Sequence, residues 1–158
     1  MIPETIELKD LNKKLGEISK KLFESVKVVP NLITKELAIG ANSIRNTIIT
    51  SMKNTPKTGN HYRRGKRGRI HIASSPNHPP AIDYGELVRS IMFDIKEMNV
   101  EIGSVGGAPY SVFLEEGTKN MDPRPFLGPA VDKHRDEIIS KVGDSAFEII
   151  RKGFEKKT

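Results

Sequence analysis

A chain of 158 residues is long enough for one domain with a genuine core and too short for two of ordinary size. With hydrophobic residues at 36%, aromatics at 6% and charged residues at 29%, that core is expected to be small and built from helices with narrow apolar stripes. A net charge of +6 and a sequence pI near 9.5 point to a polyanionic neighbour or to a merely basic soluble protein. The absence of cysteine excludes a disulfide framework, thiol catalysis and a thiolate metal site, and allows a reducing compartment.

The first residues, Met1-Ile-Pro-Glu-Thr5, lack a basic start followed by an apolar run and a small-residue cleavage site, so no export signal is expected. Apolar patches are broken by Lys, Glu, Asn or Gly well short of a membrane span, so no membrane partner is expected. The whole chain, 1–158, reads as one domain. It divides into a helical part (4–53), basic and proline-rich loops with a short strand (54–80), a hairpin and motif region (81–130) and a C-terminal helix (131–158).

From Glu4 to Lys27, Leu8, Leu11, Leu15, Ile18, Leu22 and Val26 recur at three- and four-residue steps, which predicts one helical face. Pro30 and Asn31 punctuate it, and Leu37, Ala41, Ile44, Ile48 and Met52 predict a second helix ending before Pro56. Gly40 inside this second stripe costs roughly 1 kcal/mol relative to alanine, so it marks either close packing or a kink.

Thr55-Pro-Lys-Thr-Gly-Asn60 is a turn cluster, and the strongest charge run of the chain follows: Arg63, Arg64, Lys66, Arg67 and Arg69, interleaved with Gly65 and Gly68. Glycine at that spacing excludes a helix and predicts a basic loop leading into a short strand, Arg69-Ile-His-Ile-Ala73. Ser74 to Pro80 is a proline-stiffened loop, and Asp83 to Ile91 gives one or two helical turns. Ile91–Ile95 and Asn99–Gly103 alternate with period two around Lys96-Glu-Met98, which predicts a β-hairpin.

Pro109 suits the first turn of a short helix carrying Tyr110, Phe113 and Leu114, which Gly117 would end. In Asp122-Pro-Arg-Pro-Phe126 the two prolines fix their own φ and push their predecessors toward extended conformations, a stiff strut expected to hold Arg124 outward. Gly128-Pro-Ala130 opens a long last helix whose basic end, Arg151 to Lys157, complements the helix dipole. The predicted class is α+β: a small antiparallel sheet packed against amphipathic helices, with two N-terminal helices and a long C-terminal one.

Catalytic chemistry is hard to build from these residues. Glu115 and Glu116 are adjacent, about 100° apart on a helix, and cannot converge on one atom as an acid–base pair. His61, His71, His78 and His134 have no metal-ligand spacing, although His71 and His78 could meet across a loop. No nucleophile elbow, phosphate loop or dinucleotide fingerprint is present, so no catalytic residue, metal or cofactor is expected, and a metal-dependent hydrolase has little support. The run 63–69, with Tyr62 available for stacking, is either a solubilising loop or a non-specific nucleic-acid contact, since no recognition helix carries the basic residues.

Tyr110, Phe113-Leu-Glu-Glu-Gly-Thr118, Met121, Arg124-Pro-Phe126 and Pro129-Ala130 together form a pattern that resembles the tail-completion family of long-tailed double-stranded DNA bacteriophages. Thr55-Pro-Lys-Thr-Gly59, Ser75-Pro-Asn-His-Pro-Pro-Ala81 and Gly85-Glu-Leu-Val-Arg-Ser-Ile91 extend it upstream, so that it covers Thr55 to Ala130. Ser111 stands where alanine is usual, and the basic insert 63–69 is long for the family.

The resemblance implies a virion structural protein of the head-to-tail junction, made in the host cytoplasm and acting by assembly without catalysis. It implies a homo-oligomeric ring around the DNA channel, most often hexameric, that meets neighbouring neck, tail-terminator or head-closure proteins. On that expectation Tyr110, Phe113 and Phe126 hold the last helix at a fixed angle, and Arg124 pairs with Glu115 or Glu116 within or between subunits. Arg63, Arg64, Lys66, Arg67 and Arg69 are the candidate double-stranded DNA contacts. The other reading is a free-standing, non-specific nucleic-acid-binding protein that uses the same loop.

Overall fold

The structure, a computed structural model, describes residues 8–63, 68–106 and 108–155, with side chains described from residue 12 onward. Its order is α1 (Leu8–Asn54), β1 (His61–Arg63), β2 (Ile70–Ile72), α2 (Glu86–Ser90), β3 (Ile91–Lys96), β4 (Asn99–Ser104), α3 (Ser111–Glu116) and α4 (Gly128–Glu155). The fold is α+β, with a long C-terminal helix and antiparallel strands.

The two expected N-terminal helices are one helix of 47 residues with Pro30 inside it. A mid-helix proline removes one ladder hydrogen bond and crowds the carbonyl four residues back. Here residue 30 faces solvent, and packing against α4 straddles it. Gly153 of α4 lies against Ser25 on one side of the proline, and Ile138 lies against Gly40 on the other. Tertiary packing therefore holds both halves of α1 in line where the local rule predicts a break.

The helices α1 and α4 run antiparallel, and at Gly40 and Gly153 the facing helix leaves no room for a side chain. A Cβ on Gly40 would sit 2.6 Å from Ile138 Cδ1, so close packing, not a kink, is the reason for glycine there. A hydrogen bond of 2.7 Å between Thr47 Oγ1 and His134 Nε2 ties the pair together further along.

The sheet is two separate antiparallel hairpins, β1–β2 and β3–β4. The sequence marks the second clearly. Phe93 faces Ile102 and Ile95 faces Val100 across the ladder, while the alternate residues Met92, Asp94, Lys96 and Glu101 are exposed. Its two-residue turn places Glu97 and Met98 at φ 50° and 65°, a left-handed conformation that Asn-Gly would adopt more easily. The first hairpin corrects the single predicted strand, since His61–Arg63 pairs antiparallel with Ile70–Ile72.

The core lies at the C-terminal end of α1. Ile44, Ile48 and Met52 meet Leu87 of α2, Ile91 at the root of β3, Ala108, Phe126 and Ala130. It is small, as the composition predicts, and it gathers the proline-rich segment against the helix pair.

Candidate functional site

Residues 108–130 run from α3 through a tight turn and the proline strut into α4. Gly117, at φ 79°, ends α3, and its Cα faces the Met121 carbonyl so closely that an added Cβ would lie 2.8 Å from that oxygen. Thr118 and Met121 exchange backbone hydrogen bonds, and the strut is then pinned twice by backbone pairing. Arg124 N–H donates to Leu114 O at 2.6 Å, and Asn77 N–H donates to Pro123 O at 2.8 Å.

This pairing settles where the charged side chains go. The Glu115 carboxylate turns to the start of α4, where it accepts backbone N–H bonds from Phe126 (2.8 Å) and Leu127 (3.0 Å) on Oε2 and from Gly128 (2.8 Å) on Oε1. These are donors that a helix N-terminus leaves without intrahelical partners, and the helix dipole favours an anion there. Glu115 is thus a helix cap supplied from another element, while Glu116 is exposed.

The expected outward Arg124 and its ion pair with Glu115 or Glu116 are both corrected within the chain. Arg124 retains only 6% exposure. Its Nε donates to Ser74 O at 3.2 Å and its Nη1 to Asp122 O at 3.5 Å, and it has no ion pair among the described residues. The strut does keep Arg124 out of a helix, but the loop 74–80 folds over it, an outcome that two prolines cannot reveal.

Of the three aromatics, Phe126 is buried at the root of α4, whereas Phe113 is 57% exposed and cannot brace that helix within the chain. Tyr110, half-exposed, lines a cleft of about 360 Å³ between the β1–β2 hairpin, α2 and α3. Met52, Ala73, Leu87 and Leu114 supply its apolar lining, and Arg124 and Ser74 supply polar lining. The Ser74 hydroxyl is fully buried with no hydrogen-bond partner among the described residues.

The basic run divides. Arg63 closes β1, and Arg64, Lys66 and Arg67 lie outside the described residues. Arg69 approaches Asp83 at 3.4 Å and stacks over the Tyr84 ring at 5.6 Å. His71 Nδ1 lies 3.6 Å from the same Asp83 carboxylate, while His78 Nδ1 meets its own loop at Pro76 O, 3.0 Å away. His71 and His78 therefore do not form a pair. Among the described residues no group of three His, Asp or Glu side chains could hold a metal ion, and no helix is long and apolar enough to cross a membrane.

Sequence reasoning missed the cleft because its walls come from five separate segments. The one local clue is Ser74-Ser-Pro, a small polar pair before a proline-stiffened turn. No protein-family model, curated protein or solved structure matches the chain.

Proposed function

We propose that the chain is a ring-forming subunit of the head-to-tail junction of a long-tailed double-stranded DNA bacteriophage, a tail-completion or neck protein. It acts by assembly, first in the host cytoplasm and then in the virion. The motif pattern from Thr55 to Ala130 supports the family, and one structural observation carries the assembly reading.

That observation is apolar surface on the helix pair. Gly153, near the end of the described part of α4, lies against Lys21 and Ser25, and α1 extends from there toward its own N-terminus. Along that part of α1 Leu15, Ile18 and Leu22 keep 52%, 46% and 40% of their surface exposed. The face of α4 turned away from α1 adds Ile139, Phe147 and Phe154. A row of large apolar side chains on an isolated chain marks a surface that partners cover.

Light scattering across a concentration series tests this: the expected product is a closed oligomer of the 17.6 kDa chain, a hexamer on the family's pattern, formed alone or with a neck partner. In particles assembled without the protein, heads and tails are expected to stay unjoined. A monomer under every condition together with normally joined particles would overturn the proposal. The second reading, a free-standing nucleic-acid binder, draws on the basic composition of the run 63–69, of which Arg63 and Arg69 are described. It requires monomers whose DNA affinity falls steeply with salt.

A further inference from the structure

The cleft is an unfinished site. Arg124 is buried, and among the described residues it has no counter-anion, its Nε and Nη1 make long bonds to carbonyls and its Nη2 makes none. The Ser74 hydroxyl on the same wall is wholly buried and has no hydrogen-bond partner among the described residues. A buried guanidinium and an orphan hydroxyl are costly alone and become favourable together once a carboxylate accepts from both. Asp83, the cleft's own carboxylate, keeps only 11% of its side-chain surface exposed and is turned toward Arg69 and His71.

A matching group sits on the other hairpin of the same chain. Glu97 and Met98 project from the β3–β4 turn, both with positive φ and both exposed. Neither residue favours that conformation, which costs about 1 kcal/mol or more at each, so turn stability does not explain their presence. The end of this hairpin is acidic, with Asp94, Glu97 and Glu101 against Lys96 alone, whereas the cleft is flanked by the basic hairpin that carries Arg63 and Arg69. Met98 is a flexible apolar side chain suited to the floor of Met52, Leu87 and Leu114.

One chain does not bring the two together. The hairpin is rooted at Ile91, beside Leu87 of the cleft floor, and five residue steps carry its tip about 17 Å outward along a hydrogen-bonded ladder. We infer that the Glu97–Met98 tip of one copy enters the Arg124–Ser74 cleft of the next, with the Glu97 carboxylate accepting from Arg124 and Ser74. Such a contact joins two different surfaces of identical chains, the heterologous geometry that closes into rings. It rests on the ring-forming reading above and gives that ring a specific joint.

The absence of cysteine makes the test clean. Full-length Met98→Cys and Tyr84→Cys chains, the latter altered at the exposed cleft rim, are mixed and oxidised. A disulfide-linked heterodimer is expected at least tenfold above a mix of Met98→Cys with a control at the exposed Lys133, Lys133→Cys. The double variant Met98→Cys/Tyr84→Cys should give a ladder of linked chains.

Glu97→Lys, on an exposed turn, should weaken association tenfold or more while leaving the melting temperature of the isolated chain within a few degrees. An oligomer that forms without the Met98–Tyr84 cross-link overturns this contact and leaves the ring reading standing. A chain that neither associates nor cross-links, alone or with a neck partner, while particles lacking it still join heads to tails, overturns both. Cross-linking that Glu97→Lys does not diminish overturns the carboxylate recognition, and DNA binding by the assembled oligomer that depends on Arg69 would assign the basic hairpin to nucleic acid instead.

Discussion

Removing the Glu115 carboxylate should uncouple α3 from α4. Glu115→Ala deletes three hydrogen bonds to the backbone N–H groups of residues 126, 127 and 128, at 2.8, 3.0 and 2.8 Å. Bonds to a charged acceptor contribute about 1.5–3 kcal/mol each when buried. This site is half-buried, so water can reach part of what is released, and about 1 kcal/mol per bond is the better figure, or about 3 kcal/mol in all. For a domain of this size the melting temperature should fall by about 6–12 °C.

Glu115→Gln keeps one acceptor oxygen and should lose about half as much. Glu116→Ala, at an exposed position, should stay within about 0.5 kcal/mol of the parent. Urea and thermal denaturation followed by circular dichroism measure all three. Equal losses at Glu115 and Glu116, or a Glu115→Ala protein that melts within 1–2 °C of the parent (a shift of under about 0.5 kcal/mol), would refute the capping role.

Two glycines of α1 should respond to alanine with opposite sign. Gly16 has nothing within 4 Å of an added Cβ, so Gly16→Ala should stabilise by about 0.5–1 kcal/mol through helix propensity. At Gly40 the same methyl would meet Ile138 at 2.6 Å, and overpacking of about 1–3 kcal/mol should outweigh that gain, so denaturation midpoints should move in opposite directions. The Glu137 carboxyl is held below its ordinary value by its hydrogen bond from Lys141 and by that ammonium's charge. A carboxyl depressed in the folded state contributes stability above its unfolded value, near pH 4, and loses it as pH falls through the folded value. Amide protection around Ile138 to Val142, measured against intrinsic exchange at each pH, should therefore fall on acidification, and Lys141→Met should flatten that dependence.

The contrast between Glu115 and Arg124 shows how far the residues of the motif speak for themselves. Both were legible as unusual: adjacent carboxylates before a glycine, and an arginine between two prolines. Stiffness followed from proline's fixed φ, but the partners did not, because they lie 11 to 50 positions away in sequence. Glu115 and Arg124 belong to one segment and yet bond to different things, the first to the α4 backbone and the second to the loop at Ser74.

Period and punctuation in the sequence determined the α+β class, the existence of the β3–β4 hairpin, the end of α3 at Gly117 and the start of α4 at Gly128, since each depends on contacts within a few residues. Only the tertiary structure decided the continuity of α1 through Pro30, the pairing of β1 with β2, the burial of Arg124 and the existence of the cleft. The physical reason is common to all four. Packing of α4 across the proline, strand pairing across the glycine-rich run and the folding of loop 74–80 over the strut are long-range gains of several kcal/mol. They outweigh local preferences of about 1–3 kcal/mol that a linear reading weighs alone.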